Sequence, residues 1–121
     1  MKTKVVTKDK ALDSGPLERL FNGNSTAKII DFLIASSVGK DWDYSETDIA
    51  KNAGVSVRTM QREINKLLES RIIRQNRIIG NAKMYQLNKP YKTAISAERF
   101  VFDLASENIQ KQIAPKIKVK S

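Results

Sequence analysis

Two helical segments of this chain are joined by only four residues, 53–56, and this short turn constrains the fold more than any other feature. Gly54 is expected to take a positive φ, which glycine adopts without the steric cost that a Cβ imposes. Val55 is expected to fill the gap between the two helices, and Ser56 to cap the second of them. Ala50 is small at the point where the two helices cross closely. The turn therefore predicts two short helices packed against each other.

Two further helices are predicted ahead of this pair. Pro16 stands at a favourable first helical position, so a short helix is expected from there to about Gly23. Asn24 or Ser25 is expected to cap the next helix, which Gly39 ends. The apolar positions of this second helix follow helical spacing over a wide stripe, which predicts that it is largely buried: Ile29, Ile30, Phe32, Leu33, Ile34 and Val38.

The pair of helices that the short turn joins is expected to run from Ser45 to about Glu69. Ser45 stands three residues before Asp48, which is the spacing of a capping box. Just ahead of this pair, Trp42 and Tyr44 are expected to pack in the core and at a strand edge rather than to form a ligand cage.

A β-hairpin is predicted to follow. After Arg71 the spacing of the apolar residues changes, and residues 72–79 are expected to form a strand. Residues 84–87 are expected to form its return strand, with a loop of about four residues around Gly80-Asn81.

The last predicted element is a helix. A connector over residues 88–94 leads to it, and it is expected to begin near Ser96 and to end at Ala114, since Pro115 follows. The predicted fold is thus mainly α with a small β-hairpin, in the α+β class. Its predicted parts are a flexible basic arm (1–15), a domain (16–92), a C-terminal helix (93–115) and a basic tail (116–121).

Positive charge is concentrated in one part of the chain. The 121 residues include 22 Lys and Arg against 13 Asp and Glu, for a formal charge of +9. Residues 56–92 hold nine basic and two acidic residues, whereas residues 11–55 hold four basic and seven acidic residues. A basic stretch flanked by acidic scaffold is the pattern expected for a protein that binds a polyanion.

Several classes of protein are disfavoured by what the sequence lacks. There is no Cys and no His, which argues against disulfides, thiolate or histidine metal sites and a catalytic triad. No glycine-rich phosphate loop is present, and no apolar run approaches the roughly 20 residues of a spanning helix. The basic N-terminus has no apolar segment behind it, so no signal peptide is expected. We therefore expect a soluble, cytoplasmic, nucleoid-associated binding protein, without cofactor and not an enzyme.

The fourth predicted helix has two opposed faces. Four apolar residues fall within about a 100° arc, as a buried stripe does: Met60, Ile64, Leu67 and Leu68. The opposite side centres on Arg58, Arg62 and Asn65, with Gln61 and Lys66 beside them. Arg can bind guanine through two hydrogen bonds, and Asn or Gln can bind adenine in the same way. The alternative is an ordinary solvated face, which is more often rich in Glu–Lys pairs.

The predicted hairpin is the second candidate contact. Arg74, Arg77 and Lys83 flank its tip at residues 80–82, which suits binding to phosphates or to the minor groove. The alternative is a plain hairpin whose edge is protected by charge. Thr47 is the third candidate, because its hydroxyl and the nearby helix N-terminus suit a phosphate; the alternative there is capping of the first turn. The full predicted set of DNA-contacting residues is Thr47, Ser56, Val57, Arg58, Thr59, Gln61, Arg62, Asn65, Lys66, Arg74, Arg77, Asn81 and Lys83.

Residues 24–88 resemble the small archaeal winged helix-turn-helix transcription regulators of the broad MarR-like class. Three stretches carry the resemblance: NSTAKIIDFLIAS, YSETDIAKNAGVSVRTMQREINKLLESRII and RIIGNAKMYQLN. The positions that match the common motif are Thr47, Ile49, Ala50, Gly54, Val55, Ser56, Thr59, Arg62, Ile64 and Leu67. The resemblance implies a winged helix-turn-helix fold, a homodimer on a pseudo-palindromic DNA operator and a role in transcriptional control.

The last helix is the candidate for pairing between two copies. Phe100, Val101, Phe102 and Leu104 exceed what one helix face needs, so this helix is expected either to dimerise or to pack on the second helix. It is shorter than the flanking dimerisation helices usual in MarR-like proteins.

We expect a sequence-specific regulator that binds double-stranded DNA. The first alternative is a plasmid or viral DNA-binding protein for partition or replication, or an architectural one. The second alternative is a winged-helix module that binds protein or RNA.

Overall fold

The computed structural model describes residues 14–120, and it describes side chains as far as residue 110. Five helices and two strands follow one another: α1 (Pro16–Leu20), α2 (Ser25–Ser36), α3 (Glu46–Ala53), α4 (Val57–Glu69), β1 (Ile73–Ile79), β2 (Ala82–Leu87) and α5 (Lys92–Lys120). The two strands form one antiparallel sheet. The mainly helical α+β class with a small hairpin is therefore confirmed. The predicted arm over residues 1–15 lies outside the described residues, except for its last two positions.

Three helices begin at the residues that the sequence predicts. The side-chain oxygens of Asn24, Ser45 and Ser56 accept hydrogen bonds from backbone N–H groups in the first turns of α2, α3 and α4. Each bond satisfies an N–H that has no partner within its own helix. Gly54 ends α3 with a φ of +77°, as the short turn requires.

Helix α1 obtains its N-terminal cap from another helix. Gly15 offers no side chain there, and the carboxylate of Asp31 on α2 accepts the N–H groups of Leu17 at 3.1 Å and Glu18 at 2.8 Å. A Cβ on Gly15 would overlap the Asp31 side chain, so only glycine fits at that position. Burial raises the pKa of Asp31, and the two backbone hydrogen bonds act in the opposite direction.

The core consists of two adjoining clusters of buried side chains. The first joins α2, α3, α4 and the hairpin through residues such as Ile29, Ile49, Met60 and Ile73. The second joins α1, α2, β2 and α5: Leu17, Ala27, Ile34, Leu87, Ala94 and Val101. The predicted apolar stripe of α4 is confirmed, since Met60, Ile64 and Leu67 are buried and Leu68 is half-buried.

One member of the predicted stripe of α2 lies outside the core. Helix α2 ends at Ser36 rather than at Gly39, and the turn that follows carries Val38 out to 58% exposure. The side chain of Lys89 satisfies the carbonyl of the C-cap residue Ser37 and that of Lys40 in the following turn, since its Nζ lies 2.6 Å from both oxygens. This cation therefore stabilises the end of a helix.

The hairpin turn is tighter than the sequence predicts. Ile79 pairs directly with Ala82, which leaves a two-residue turn at Gly80-Asn81 instead of a loop of about four residues. Gly80 has a φ of +60° and Asn81 does not have a positive φ, a combination that favours a type II′ turn and allows the strands to continue to the tip. A bulge at Asn76 interrupts the register further down β1.

A single bridge extends the sheet beyond β2. The backbones of Tyr44 and Tyr85 exchange two hydrogen bonds of 2.8 and 2.7 Å, and the Tyr44 ring packs edge-on against Phe32 at 5.1 Å. The predicted strand-edge packing of Tyr44 is confirmed. The predicted burial of Trp42 is wrong: it is 59% exposed, because the chain joins the sheet only at Tyr44, and the Lys40 ammonium lies 4.4 Å from the centre of its ring.

Helix α5 is longer than predicted at both ends. It begins at Lys92, because Ala94 already packs in the second cluster, and it continues through Pro115 to Lys120. The fixed φ of proline, about −65°, lets it adopt helical backbone, although it removes one hydrogen bond and its ring crowds the carbonyl four residues earlier. Val101 is buried against the domain, so the predicted packing on the rest of the domain is present. Phe100 and Phe102 are each 47% exposed.

Candidate nucleic-acid interface

The polar face of α4 is exposed because the opposite face is anchored in the core. Met60, Ile64 and Leu67 fix the rotation of the helix, which directs the predicted contact residues outward: Arg58, Gln61, Arg62, Asn65 and Lys66 are all exposed. Within residues 14–110, the side chains of Arg58, Gln61 and Asn65 have no hydrogen bond or ion pair. These three carry donor and acceptor groups that an external ligand can use without displacing an internal partner.

The first turn of α4 is occupied by its own cap. Ser56 Oγ accepts the N–H of Thr59 at 3.0 Å and donates its hydroxyl hydrogen to Thr59 Oγ1 at 2.9 Å. Thr59 is half-buried, whereas Val57 is 40% exposed. Four predicted contact residues lie in the cap and first turn of α4. The hydroxyl groups of Ser56 and Thr59 bond to each other at the start of the helix, Val57 offers only an apolar side chain, and Arg58 is exposed.

A buried carboxylate, which the sequence analysis did not single out, lies under the basic face of α4. Glu63, with a side chain 12% exposed, accepts a hydrogen bond from Thr26 Oγ1 at 2.7 Å and pairs with Lys66 Nζ at 2.7 Å. Its other oxygen lies 3.9 Å from Arg62 Nε. The hydrogen bonds from Lys66 and Thr26 lower the pKa of Glu63. The i,i+3 spacing to Lys66 was visible in the sequence, but the contact with Thr26 spans 37 residues.

A second carboxylate engages Arg77 of the hairpin. Arg77 donates to both oxygens of Asp43, from Nε at 2.7 Å and from Nη2 at 3.1 Å, and Asn76 Nδ2 donates to the same group at 2.7 Å. The Asp43 side chain is 5% exposed, while that of Arg77 is 59% exposed. These bonds hold the pKa of Asp43 below its ordinary value and raise that of Arg77. Arg77 thus ties the hairpin to the loop before α3.

Arg74 lies at the base of the hairpin and not at its tip. Its Nε and Nη2 donate to Gln86 Oε1 at 3.1 and 2.9 Å. Gln86 is buried and donates in turn to the carbonyl oxygen of Asp41 at 3.1 Å. Arg74 therefore belongs to the hydrogen-bond network that attaches the loop before α3 to β2.

The tip of the hairpin and the start of α3 enclose one open cavity of about 290 Å³. The cavity brings together three predicted contact residues, Thr47, Asn81 and Lys83, with Glu46 beside them. Thr47 and Lys83 are exposed, and neither side chain has a polar partner in the described part of the chain. Two further residues near this tip lie on the surface, which the sequence did not lead us to predict. They are Ile78 and Ile79, which are 59% and 50% exposed.

The exposed groups of α4 and the hairpin tip are guanidinium, amide, ammonium and hydroxyl groups, which bind phosphates and base edges. Among the residues that the structure describes, no group of three or more Asp and Glu side chains is arranged to hold a metal ion. The described helices include none with the length and apolar character needed to cross a membrane.

No known family model matches this chain, and a search of curated proteins finds no similar sequence.

Proposed function

We propose that this protein is a winged helix-turn-helix transcriptional regulator that binds double-stranded DNA at a specific sequence. The recognition helix is α4 with its cap, residues 56–69, and it lies in the major groove. The hairpin β1–β2 is the wing and contacts the DNA backbone or the minor groove. One observation carries the proposal: within the described residues, Arg58, Asn65 and Gln61 have no internal partner on the exposed side of α4. Arg58 and Asn65 lie across the helix from the buried apolar stripe, and Gln61 lies at the edge of the exposed side.

The chemistry of this face suits base edges better than it suits phosphates alone. The major groove admits one α-helix, and guanidinium and amide groups form paired hydrogen bonds with guanine and adenine. A face that is only solvated more often carries Glu–Lys pairs at helical spacing, and this face has one such pair, Lys66 with Glu63. Arg58, Gln61 and Asn65 have no such neighbours within the described residues. Their hydrogen-bonding capacity is available to DNA.

The wing contributes a smaller set of contacts than the charge pattern alone predicts. Lys83, Asn81 and Thr47 line the cavity at its tip and are available for phosphate oxygens. Arg74 and Arg77 already bind Gln86 and Asp43, so we assign them first to holding the wing in place. Lys83 is then the principal cation of the wing.

The regulator acts as a homodimer of two identical chains, paired through α5. Ile95, Phe102 and Ile109 are 51%, 47% and 57% exposed, and their spacing of seven residues places them on one line along the helix. A coiled coil uses two apolar positions in each heptad, and this line supplies one of them for contact with a second helix. A second copy supplies the same line of residues, and a two-fold dimer matches a pseudo-palindromic operator.

The test is selection of a binding site from a random duplex library, followed by fluorescence anisotropy. The selected duplex and a scrambled duplex of the same composition are titrated with the protein over a series of salt concentrations. We expect a selected motif with two half-sites, and tighter binding to it than to the scrambled duplex at every salt concentration. Equal and steeply salt-dependent binding to both duplexes would contradict sequence reading and favour an architectural or partition protein. No binding to duplex DNA at low salt would overturn the proposal and redirect the search to RNA or protein partners.

A further inference from the structure

We propose that Glu63 is a positioning residue that withholds Lys66, and in part Arg62, from DNA phosphates and thereby raises the specificity of the recognition helix. This inference rests on the proposed function. The proposed function does not determine the ratio between specific and non-specific affinity for DNA, and Glu63 acts on this ratio.

The carboxylate of Glu63 is held in place by a side chain of the neighbouring helix α2. Thr26 on α2 donates its hydroxyl hydrogen to Glu63 Oε1 at 2.7 Å, and Lys66 Nζ lies 2.7 Å from the same oxygen. Oε2 faces Arg62 Nε at 3.9 Å. A solvated glutamate moves freely among rotamers, whereas this one is held by a neighbouring helix and is 12% exposed. The two cations therefore face a stationary negative charge.

The other glutamate of α4 provides a contrast. Glu69 is exposed and has no polar partner among the described residues. Both glutamates contribute the same formal charge to the same helix. Among the described residues, only Glu63 forms ion pairs with side chains of the proposed DNA-binding face; Glu69, three residues after Lys66, lies on the same side of the helix without such a contact.

A phosphate that approaches Lys66 must compete with this carboxylate. Non-specific affinity comes almost entirely from cations that neutralise phosphates, so a withheld lysine reduces binding to every sequence. Base contacts by Arg58, Gln61 and Asn65 do not involve Glu63, and the specific complex keeps them. The ratio of specific to non-specific affinity therefore rises, because the Glu63 carboxylate competes with DNA phosphates for Lys66. The lowered pKa of Glu63 keeps the carboxylate charged at neutral pH.

The experiment compares Glu63→Gln with Glu69→Gln. Both variants remove one negative charge from α4, and glutamine at position 63 retains an oxygen that can accept from Thr26. Affinity for the selected duplex and for a scrambled duplex is measured by anisotropy between about 50 and 300 mM salt. We expect Glu63→Gln to tighten binding to the scrambled duplex roughly 3- to 10-fold and to steepen its salt slope by about 0.9 for each phosphate newly contacted. The specificity ratio falls, while Glu69→Gln changes it less than twofold.

Two further measurements keep the test decisive. Lys66→Gln in the Glu63→Gln background is expected to remove most of the gain in non-specific affinity, because Lys66 is the released cation. Lys66→Gln alone, with Glu63 present, is expected to lower the salt slope less than Lys83→Gln does, and this comparison needs no change at position 63.

The inference is overturned if the two glutamate variants alter non-specific binding and salt slope equally, or if Lys66→Gln alone lowers the slope as much as Lys83→Gln. If the unaltered protein binds no duplex at low salt, the proposed function fails and this inference falls with it. If the unaltered protein reads a sequence and the variants behave alike, only this inference fails.

Discussion

At the scale of single residues, the structure divides the basic side chains into two groups. Four of them have internal partners in the fold: Arg77, Arg74, Lys66 and Lys89. Arg58 and Lys83 have none within the described chain. Formal charge alone does not separate these groups, because pairing with a carboxylate or carbonyl is decided by neighbours in space. The predictions at this scale follow from that division.

Arg58→Ala is expected to weaken binding to the selected duplex by about 1–3 kcal/mol, because an arginine that reads a guanine through two hydrogen bonds contributes an amount of this order. The thermal unfolding midpoint should stay unchanged, since Arg58 has no internal partner among the described residues. Arg99→Ala is the matched control, as Arg99 is an exposed arginine on α5. Equal losses for the two variants, measured by anisotropy, would show that only net charge matters.

Asp43→Asn is expected to lower the thermal unfolding midpoint at pH 7, since the bidentate bond to Arg77 loses its charge. The pKa of Asp43 is lowered in the folded state, so its contribution is present above the ordinary aspartate value of about 3.9. That contribution is lost as the pH falls through the lowered pKa. As the pH falls from about 4 to about 2, the thermal unfolding midpoint of the variant should therefore decrease less than that of the parent protein.

Circular dichroism melts over this pH range check the Asp43 prediction. Glu63, whose pKa is also lowered, keeps part of the acid sensitivity in the variant. Asp31 acts with the opposite sign, because a raised folded pKa means that protonation favours the folded state. Parallel curves of midpoint against pH for parent and variant would contradict the assigned role of Asp43.

At the scale of secondary-structure elements, the attachment of α1 to α2 depends on two residues. Asp31 caps α1 from a neighbouring helix, and Gly15 leaves the space that this carboxylate occupies. Local sequence around α1 shows the favourable proline but gives no sign of its cap. The element is therefore defined by a tertiary contact.

Gly15→Ala is expected to destabilise the protein by about 1–3 kcal/mol, because the added methyl group overlaps the Asp31 carboxylate and forces a shift. Urea unfolding monitored by circular dichroism measures the effect. In an Asp31→Gly background, which removes both the capping carboxylate and the Cβ that would also lie 2.7 Å from the added methyl group, the same change should cost clearly less. Additive effects of the two changes would show that they do not share a contact.

At the scale of the whole molecule, α5 has one side packed in the core and an exposed apolar line on another side. Ala94 and Val101 pack in the core, and the line Ile95, Phe102 and Ile109 is left exposed. Dimerisation and packing on the second helix are the two alternatives that the sequence leaves open for this helix. The structure contains the packing, and the proposed dimer uses the residues that this packing leaves uncovered.

Phe102→Lys is expected to convert the proposed dimer to a monomer, because it places a charge in the middle of the paired line. Phe100→Lys is the matched control: Phe100 is also 47% exposed but lies on another side of α5, so this variant should remain dimeric. Light scattering coupled to size-exclusion chromatography reports the mass of each. A monomeric parent protein, or the same mass for both variants, would refute pairing through this line.

The sequence by itself determined the local features of this protein. The caps at Asn24, Ser45 and Ser56, the left-handed Gly54 and the apolar stripe of α4 follow from interactions within a few residues, and all are present. The exposed face of α4 follows from the same periodicity. The exact turn at Gly80-Asn81 and the start of α5 differ from prediction, because strand pairing and packing of Ala94 overrode local signals.

Only the tertiary structure decided which charges are free. Asp43 and Arg77 are 34 residues apart, Thr26 and Glu63 are 37 apart, and Lys89 reaches a carbonyl 52 residues away. No local pattern encodes these contacts, since they arise when the core brings α2, α4 and the hairpin together. The sequence therefore determined where the positive charge is concentrated. The fold decided which of those cations remain available to a ligand, because a charge beside a fixed carboxylate is already satisfied.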